Sequence, residues 1–329
     1  MTTGTHLNTD SSLITMQNVV KRYEHFAMEN FNLQLDAGEV MGLIGPNGAG
    51  KTTCLRLIMG FIPADRGEIY VLGKNVQQEV EKIKELVAYV SEDMRMFGNK
   101  TIYWHMQFFA TIFSSWDAAY ANKLLHTFDL NAEYKIKTLS LGQRIKASLL
   151  LALARRPRIL VLDEPSTGLD PVARYELTSQ LFHIMLNEEH SVIFSSQFTQ
   201  DVERLSDRIV FIDDGQVISN KDKETYLDQW KRVEIPLEAE KHLELFDDIK
   251  ETQRNAYNIS VISVIHSDFS SEKRRRYREA GLEVQPQNLT LEEIFIAQTL
   301  YRRKQKNNAA HGNPHNEASI ASSLYTGGN

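Results

Sequence analysis

A short glycine-rich segment, GPNGAGKTT at residues 45–53, constrains this chain more than any other part of its sequence. The segment follows the apolar run EVMGLIG and leads into KTTCLRLIMGF, where apolar residues recur at helical spacing. Gly45, Gly48, Gly50, Lys51 and Thr52 satisfy the pattern G-x-x-x-x-G-K-[ST]. In that pattern, peptide N–H groups converge on phosphate oxygens at the N-terminus of a helix. We therefore predict a strand, a phosphate-binding loop and a helix, with the main chain of the loop as the ligand.

Two side chains of this loop have predicted roles of their own. Lys51 is expected to reach the β and γ phosphates of ATP, and the Thr52 hydroxyl is expected to ligate Mg²⁺. A glycine-rich turn with an incidental lysine is the alternative, and the flanking strand and helix argue against it. The nucleotide-binding residues predicted in the loop are Gly45, Pro46, Asn47, Gly48, Ala49, Gly50, Lys51, Thr52 and Thr53.

Charge and composition exclude several classes of protein. With 37 Lys and Arg against 43 Asp and Glu, the formal charge is −6, so the chain has no overall basic field to hold nucleic acid. The longest apolar runs, such as LLLALA, fall far short of the roughly 20 residues that cross a bilayer. The first residues lack the features of a secretory signal, and the single Cys54 excludes an internal disulfide framework. We expect a reducing, cytoplasmic compartment and no direct contact with nucleic acid.

The run RILVLDEP predicts a buried strand that delivers Asp163 and Glu164 at its carboxyl end, where ligands gather in open α/β sheets. Asp163 is predicted to hold Mg²⁺ through water, and Glu164 to position and polarise an attacking water molecule. An acidic pair after a strand is often only a polar strand terminus. The phosphate loop upstream favours the catalytic interpretation.

The segment LSLGQ at 139–143 opens a predicted amphipathic helix. Ser140 suits the N-cap position, and a cap alone would explain it. A helix N-terminus that offers Ser140, Gly142 and free N–H groups is also a receptor for a γ-phosphate. The spacing of this segment from LVLDEP favours the second interpretation.

At this point the sequence resembles the nucleotide-binding subunit of an ATP-binding cassette (ABC) transporter, of exporter type. The resemblance covers about residues 12–220 and rests on four ordered motifs, GPNGAGKTT, LSLGQ, LVLDEP and STGLD. It implies an α/β fold, the P-loop NTPase domain of ABC type, with a mostly parallel core sheet, an antiparallel β subdomain and a helical subdomain at about 93–157. We predict a flexible N-terminus at 1–11, a small α+β extension at 221–305 and a disordered tail at 306–329.

The resemblance also implies how the site is completed. Two cassettes would pair head to tail around two ATP molecules, so that Ser140, Gly142, Gln143 and Asp170 of one subunit complete the site built on Lys51 of the other. Hydrolysis would then reopen the pair. The intact acidic pair and signature favour a homodimer.

Tyr23 stands where such proteins stack a ring on adenine, and a buried core tyrosine is the alternative. Three positions depart from the family pattern. Leu141 replaces a frequent glycine, and Glu92 replaces a glutamine that contacts Mg²⁺ and the attacking water. Gln197 replaces a histidine that contacts the γ-phosphate, and a neutral amide forms a weaker bond to phosphate. We predict catalytic roles for Lys51, Glu164 and Gln197, metal ligation by Thr52, Glu92 and Asp163, and slow hydrolysis.

The region from 93 to 137 is crowded with large apolar side chains. We interpret most of them as the core of a small helical subdomain, with a docking surface for a membrane subunit as the alternative for some. A separate transmembrane permease is implied, which would hold this subunit on the inner face of the cell membrane. The residues are Met94, Met96, Phe97, Tyr103, Trp104, Met106, Phe108, Phe109, Phe113 and Trp116.

Two other functions are compatible with a phosphate loop. One is a non-transport ABC ATPase that acts on ribosomes or nucleic acid, which usually carries two fused cassettes or long coiled coils. The other is a P-loop kinase or GTPase, which has no need of the LSLGQ segment. The single phosphate loop and single signature favour the transporter subunit. The cargo is not encoded in this chain, because substrate contacts would lie in the permease.

Overall fold

The chain separates into two compact units, Met1–Tyr226 and Leu227–Asn329. The computed structural model describes residues 12–91, 95–187, 191–254 and 260–311. The strands of the first unit are β1 (Ser12–Tyr23), β2 (Phe26–Asp36), β3 (Val40–Ile44), β4 (Arg66–Val71), β5 (Lys74–Asn75), β6 (Val87–Ser91), β7 (Ile159–Asp163), β8 (Ser191–Ser195), β9 (Arg208–Asp213) and β10 (Gln216–Asp222). Its helices are α1 (Lys51–Ile58), α2 (Val76–Leu86), α3 (Ile102–Ile112), α4 (Ala118–Thr127), α5 (Leu141–Leu153), α6 (Pro171–Asn187), α7 (Thr199–Leu205) and α8 (Lys223–Gln229), the last of which spans the division.

The core of the first unit is a six-stranded sheet in the order β10-β9-β3-β8-β7-β6. All neighbouring pairs are parallel except β9 and β10. Every residue of β3, β7 and β8 is buried, as expected for strands covered on both faces. The parallel arrangement brings the carboxyl ends of β3, β7 and β8 to one edge, where the phosphate loop and the acidic pair lie. The predicted, mostly parallel core sheet is confirmed.

A second sheet in this unit has the order β2-β1-β4-β5, with antiparallel pairs throughout. One apolar face of this sheet, including Ile14, Met16 and Leu35, belongs to the same buried cluster as Leu43 and Leu55 from around the phosphate loop. The antiparallel sheet therefore supports the phosphate loop from the side. Its last strand leads into α2, a helix that the sequence analysis did not identify.

The helical region between β6 and β7 contains α3, α4 and α5. Its interior is formed by Ile102 and Met106 of α3, Leu124 of α4, and the buried face of α5, which includes Leu149 and Leu150. Asp117 caps α4 by accepting a hydrogen bond from the Tyr120 N–H at 2.8 Å. These contacts give the region a core of aliphatic side chains.

The expectation that most large side chains of this region form that core is met only in part, since Met96, Trp104, Phe109, Phe113 and Trp116 are half-buried. Among the predicted residues that the structure describes, only Met106 is buried. Phe97, Tyr103 and Phe108 are 62%, 50% and 37% exposed. For Tyr103 and Phe108 the reason is helical geometry, since the buried positions of α3 are Ile102, His105 and Met106 and these two rings project from other faces of the helix, whereas Phe97 precedes α3.

The second unit has a four-stranded antiparallel sheet in the order β12-β13-β11-β14. Tyr277 packs into its core against Phe246, with ring centroids 4.4 Å apart. The elements agree with the predicted α+β character of this region. They are β11 (Lys231–Pro236), β12 (Ile249–Arg254), β13 (Val261–His266), β14 (Gln287–Asn288), α9 (Ser271–Glu279) and α10 (Leu291–His311).

Two boundaries differ from the sequence analysis. We predicted the end of the first unit at residue 220, but Lys223 still belongs to it, since the Lys223 N–H donates to the Asp207 carbonyl at 2.8 Å. We predicted a disordered tail from residue 306, but α10 continues to His311. Residues 300–311 contain neither Gly nor Pro, so nothing in their sequence interrupts a helix that has already begun. The remainder of the predicted tail and the predicted flexible N-terminus lie outside the described residues.

No helix in the described part of the chain is both long and apolar enough to cross a membrane.

A buried polar network in the second unit joins three of its elements. His266 of β13 lies 3.2 Å from the Asp248 carboxylate through Nδ1 and 2.7 Å from the Tyr277 hydroxyl through Nε2. Lys273 of α9 also contacts Asp248, at 2.9 Å. Burial alone would raise the pKa of Asp248, but hydrogen bonds from His266 and Lys273 lower it to about 2.

We predict that Asp248→Asn loosens the second unit, because it leaves His266 and Lys273 without their buried anionic partner. The free energy of local unfolding should fall by about 2 kcal/mol. Hydrogen–deuterium exchange of the intact chain, read on peptides from β11 and β13, measures this change. Asp268→Asn is the control, since Asp268 is exposed and lies 3.7 Å from Lys273.

The same network predicts an acid dependence. The pKa of Asp248 is about 2 in the folded unit and about 3.9 in an unfolded chain. The carboxylate therefore stabilises the folded unit above about pH 4, and this contribution is lost as the pH falls toward 2. The difference in exchange between wild type and Asp248→Asn should shrink over that interval, and a constant difference would contradict the assignment.

Candidate functional site

The phosphate loop joins β3 to α1 and has a backbone that only glycine can supply at key positions. A Cβ atom on Gly45 would lie 2.1 Å from the Ile212 carbonyl oxygen of β9. Gly48 and Gly50 have φ angles of 79° and 110°, a region that L side chains rarely adopt. Gly50 occupies the N-cap position of α1 and offers no side-chain acceptor. The first N–H groups of α1 are therefore left for a ligand.

Lys51 is the first residue of α1, and its side chain folds back over the loop. Its Nζ donates to the Gly45 carbonyl at 2.8 Å and to the Pro46 carbonyl at 3.3 Å, and it lies 3.7 Å from Glu164 Oε1. The residue is 4% exposed. Burial lowers the pKa of Lys51, and the charges of Glu164 and Asp163 oppose that shift. The ammonium group is thus held inside the loop.

Asp163, at the end of β7, accepts hydrogen bonds from three hydroxyl groups. The donors are Thr52 at 3.0 Å, Ser195 at 2.7 Å and Tyr89 at 3.0 Å. Burial and the charge of Asp163 raise the pKa of Tyr89 to about 12, so the phenol stays a donor at neutral pH. Thr52 and Asp163, two predicted metal ligands, therefore lie side by side. Their hydroxyl and carboxylate oxygens are the donors that Mg²⁺ prefers.

Glu164 has a φ angle of 49°, unusual for a residue with a side chain, and precedes Pro165. Its N–H donates to the Ser195 hydroxyl at 3.0 Å, which fixes the backbone in this conformation. Its Oε2 accepts a hydrogen bond from the Thr167 hydroxyl at 3.0 Å. The Gln197 amide nitrogen donates to the same hydroxyl at 3.5 Å. Glu164 and Gln197, predicted as catalytic, thus lie on either side of Thr167.

Lys51, Thr52 and Glu164 line one cleft with a volume of about 670 Å³, together with Thr167 and Gln197. Tyr23 stands at its edge and is 48% exposed, so the alternative of a buried core tyrosine is wrong. The Tyr23 ring lies 6.3 Å from the ring of Phe26. The lining residues are Tyr23, Phe26, Asn47, Gly48, Ala49, Gly50, Lys51, Thr52, Thr53, Glu164, Thr167 and Gln197.

The predicted residues Gly45, Pro46 and Asp163 do not line this cleft, and four others lie at the starts of α5 and α6. Ser140 is the exposed N-cap of α5 and forms a capping box with Gln143, through bonds of 3.2 and 3.1 Å. Asp170 caps α6 by accepting from the N–H groups of Val172 and Ala173. A Cβ atom on Gly142 would lie 3.5 Å from a methyl group of Leu169. The start of α5 therefore lies beside the loop that ends at Asp170.

Glu92, the third predicted metal ligand, lies outside the described residues. Sequence reasoning also missed Phe26, Tyr89, Thr167 and Ser195. Ser195 and Phe26 could have been found from the sequence. Ser195 ends the buried run SVIFS, which forms the strand next to β7, and it pairs in register with Asp163. Phe26 is only three residues from Tyr23. The role of Thr167 depends on a turn that the sequence does not specify.

The comparisons with known proteins agree with this geometry. The family model for ABC transporters matches residues 28–167. The ABC transporter ATP-binding protein YtrB of Bacillus subtilis is 28% identical over 271 residues, which cover 82% of this chain and 92% of that protein. The Nod factor export ATP-binding protein I of Burkholderia lata is 34% identical over 212 residues, which cover 63% of this chain and 69% of that protein.

Solved structures of ABC cassettes share the fold. An ATP-binding subunit of an ABC transporter superposes with a TM-score of 0.59 at 24% identity, covering 66% of this chain and 92% of the other. A dimeric ATP-binding cassette in a post-hydrolysis state with ADP and Pi gives 0.57 at 21% identity, covering 64% and 98%. The motifs, the site and these relatives lead to one conclusion: the chain belongs to the ATP-binding proteins of ABC transporters.

Proposed function

We propose that this protein binds and hydrolyses ATP and thereby powers a separate membrane permease of exporter type. The observation that carries the proposal is the convergence of Lys51, Glu164 and the Thr52–Asp163 pair on one side of the phosphate-loop cleft. Two of its relatives are named for export and resistance, the Nod factor export protein and the linearmycin resistance protein LnrL of Bacillus subtilis, which is 29% identical over 214 residues. Their names support export as the direction of transport.

In this proposal the phosphates occupy the loop. The main chain of residues 45–53 donates N–H groups, and Lys51 donates from its ammonium group to the β and γ phosphates. Thr52, Asp163 and Glu92 would hold Mg²⁺, which would supply positive charge beside the phosphate oxygens. Tyr23, exposed at the edge of the cleft, stacks on adenine.

Glu164 orients and polarises the attacking water from the end of β7. Gln197 lies on the other side of Thr167 and replaces the histidine expected from the family pattern. Its amide is neutral and does not titrate near pH 7, so the bond that it offers to phosphate is weaker than one from an imidazolium. The loss amounts to about 1–2 kcal/mol of transition-state stabilisation, roughly a tenfold slowing. We therefore propose a slow but competent ATPase.

Two copies of the chain complete each other's sites. Ser140 at the start of α5 and the nearby Asp170 are exposed, Gly142 and Gln143 are half-buried, and all four lie outside the cleft of their own chain. A second copy placed head to tail would present these residues to the nucleotide held on Lys51. Closure with ATP bound and reopening after hydrolysis would drive the permease.

The permease would dock on the helical region from 93 to 137. Phe97, Tyr103 and Phe108 are large apolar residues with substantial exposure there. Exposed aromatic side chains are enriched at protein–protein interfaces. Docking would hold the protein on the inner face of the cell membrane. The competing function, action on ribosomes or nucleic acid, would use a different partner.

We predict measurable hydrolysis by the purified protein and its loss in Glu164→Gln, because the amide cannot act as the base. The rate of phosphate release should fall about tenfold or more in this variant. Gln197→His should equal or exceed the wild-type rate, since it restores a group that titrates near pH 7. A wild type no faster than Glu164→Gln would rule out hydrolysis.

A mixing experiment tests the shared site. Lys51→Met and Ser140→Arg should each be inactive alone, since both sites of either homodimer lack an essential group. In a mixed dimer one site combines the intact Lys51 with the intact Ser140. An equimolar mixture should therefore recover about a quarter of the wild-type rate. A mixture as inactive as its components would contradict head-to-tail pairing.

Affinity purification from membranes in mild detergent tests the permease. A protein with several membrane spans should copurify with the wild type. It should be lost with the double variant Phe97→Ser, Phe108→Ser, which removes two apolar anchors. Leu186→Ser is the control, because Leu186 of α6 is 66% exposed but lies outside the helical region. Recovery of ribosomal proteins in place of a membrane protein would support the competing function.

A further inference from the structure

Thr167 links the two predicted catalytic side chains. Its hydroxyl donates to Glu164 Oε2 at 3.0 Å and accepts from Gln197 Nε2 at 3.5 Å. We propose that Thr167 is a positioning residue for hydrolysis, which holds the Glu164 carboxylate in its working orientation and through which Gln197, besides its bond to phosphate, also acts on Glu164. This inference rests on the proposed ATPase activity.

The chemistry of the three groups fixes the direction of the chain of hydrogen bonds. The amide nitrogen of Gln197 can only donate, so the Thr167 oxygen must accept from it. The Thr167 proton is then directed at the Glu164 carboxylate, which can only accept while it is ionised. Each bond polarises the next, and the bond to the carboxylate is charge-assisted. Gln197 can therefore influence Glu164 without touching it.

The Glu164 carboxylate needs this restraint because the Lys51 ammonium group also attracts it. Its Oε1 lies 3.7 Å from the Lys51 ammonium group. A carboxylate free to turn about its side-chain bonds would move toward this buried cation, which the proposed function assigns to the phosphates. The bond from Thr167 restrains the other oxygen, Oε2. Thr167 thereby prevents both oxygens of Glu164 from turning toward Lys51.

The surrounding framework keeps Thr167 and Gln197 together. Their chain neighbours Ser166 and Ser196 both donate to the same oxygen of buried Asp201, at 2.5 and 3.4 Å. Asp201 thus ties the loop after β7 to the loop after β8. The 3.5 Å contact between Thr167 and Gln197 is long for a hydrogen bond, and this tie limits how far the two can separate.

Thr167→Val tests the inference, because it removes the hydroxyl and keeps the branched shape. The kcat for ATP hydrolysis should fall about tenfold, while KM and the affinity for ATP stay within about twofold of wild type. Thr167→Ser keeps the hydroxyl and should restore most of the rate. A residue that served only to pack the loop would not show this split between kcat and KM together with rescue by serine.

A double-mutant cycle tests whether Gln197 acts through Thr167. Gln197→Ala should slow Thr167→Val by a clearly smaller factor than it slows the wild type, since the path through Thr167 is already broken and only the direct bond to phosphate is left to lose. Thr178→Val is the control, because the Thr178 hydroxyl bonds only to carbonyl groups of its own helix in the described structure. That control should retain the wild-type rate.

The outcomes separate this inference from the proposed function. A wild type no faster than Glu164→Gln would overturn both. Two results with an active wild type would overturn the positioning role alone. One is a Thr167→Val variant as fast as the wild type, and the other is a Thr167→Ser variant as slow as Thr167→Val. A rise in KM at unchanged kcat would also overturn it, because Thr167 would then be a nucleotide contact. Full additivity of Gln197→Ala with Thr167→Val would remove Gln197 from the path.

Discussion

The site depends on the hydrogen bonds that the Asp163 carboxylate accepts. Three hydroxyl groups converge on it, from Thr52 in the first turn of α1, Tyr89 in β6 and Ser195 at the end of β8. The side chain is 6% exposed, so these bonds form where unpaired charge would be costly. One acid thereby couples the helix that follows the phosphate loop to three strands of the sheet. Glu164 is the next residue in the chain, so the bonds that hold Asp163 also fix the backbone position of Glu164.

Much of this arrangement could be predicted because parallel strands end at one edge of a sheet. Lys51 lies more than 100 residues from the adjacent Asp163 and Glu164, yet its loop and the acidic pair each come at the end of a buried apolar run. Runs such as VMGLI and ILVLD are recognisable without a structure, and their carboxyl ends must meet near the ligand. The antiparallel sheet and the α+β unit at the end of the chain also have clear sequence patterns.

Other features could not be predicted because they depend on packing between distant segments. The exposure of Tyr103 and Phe108 follows from which face of α3 is buried, and composition alone favours burial. The network around His266 joins polar side chains from separate segments, and a hydropathy pattern gives no sign that they are buried together. The hydroxyl of Thr167 became relevant only through the turn at Glu164, whose positive φ has no sequence signature. The sequence marks Gln197 as unusual but gives no sign of its hydrogen-bond partner, Thr167.

The resting position of Lys51 has a consequence for ligand selection. Its ammonium group already satisfies the carbonyl oxygens of Gly45 and Pro46. These two bonds leave one of its three N–H donors for an incoming anion, which must also outweigh the nearby Glu164 carboxylate. A singly charged anion such as chloride or acetate gains less Coulomb energy from this ammonium group than a multiply charged phosphate chain does. The resting loop therefore favours phosphate chains over the simple anions of its surroundings.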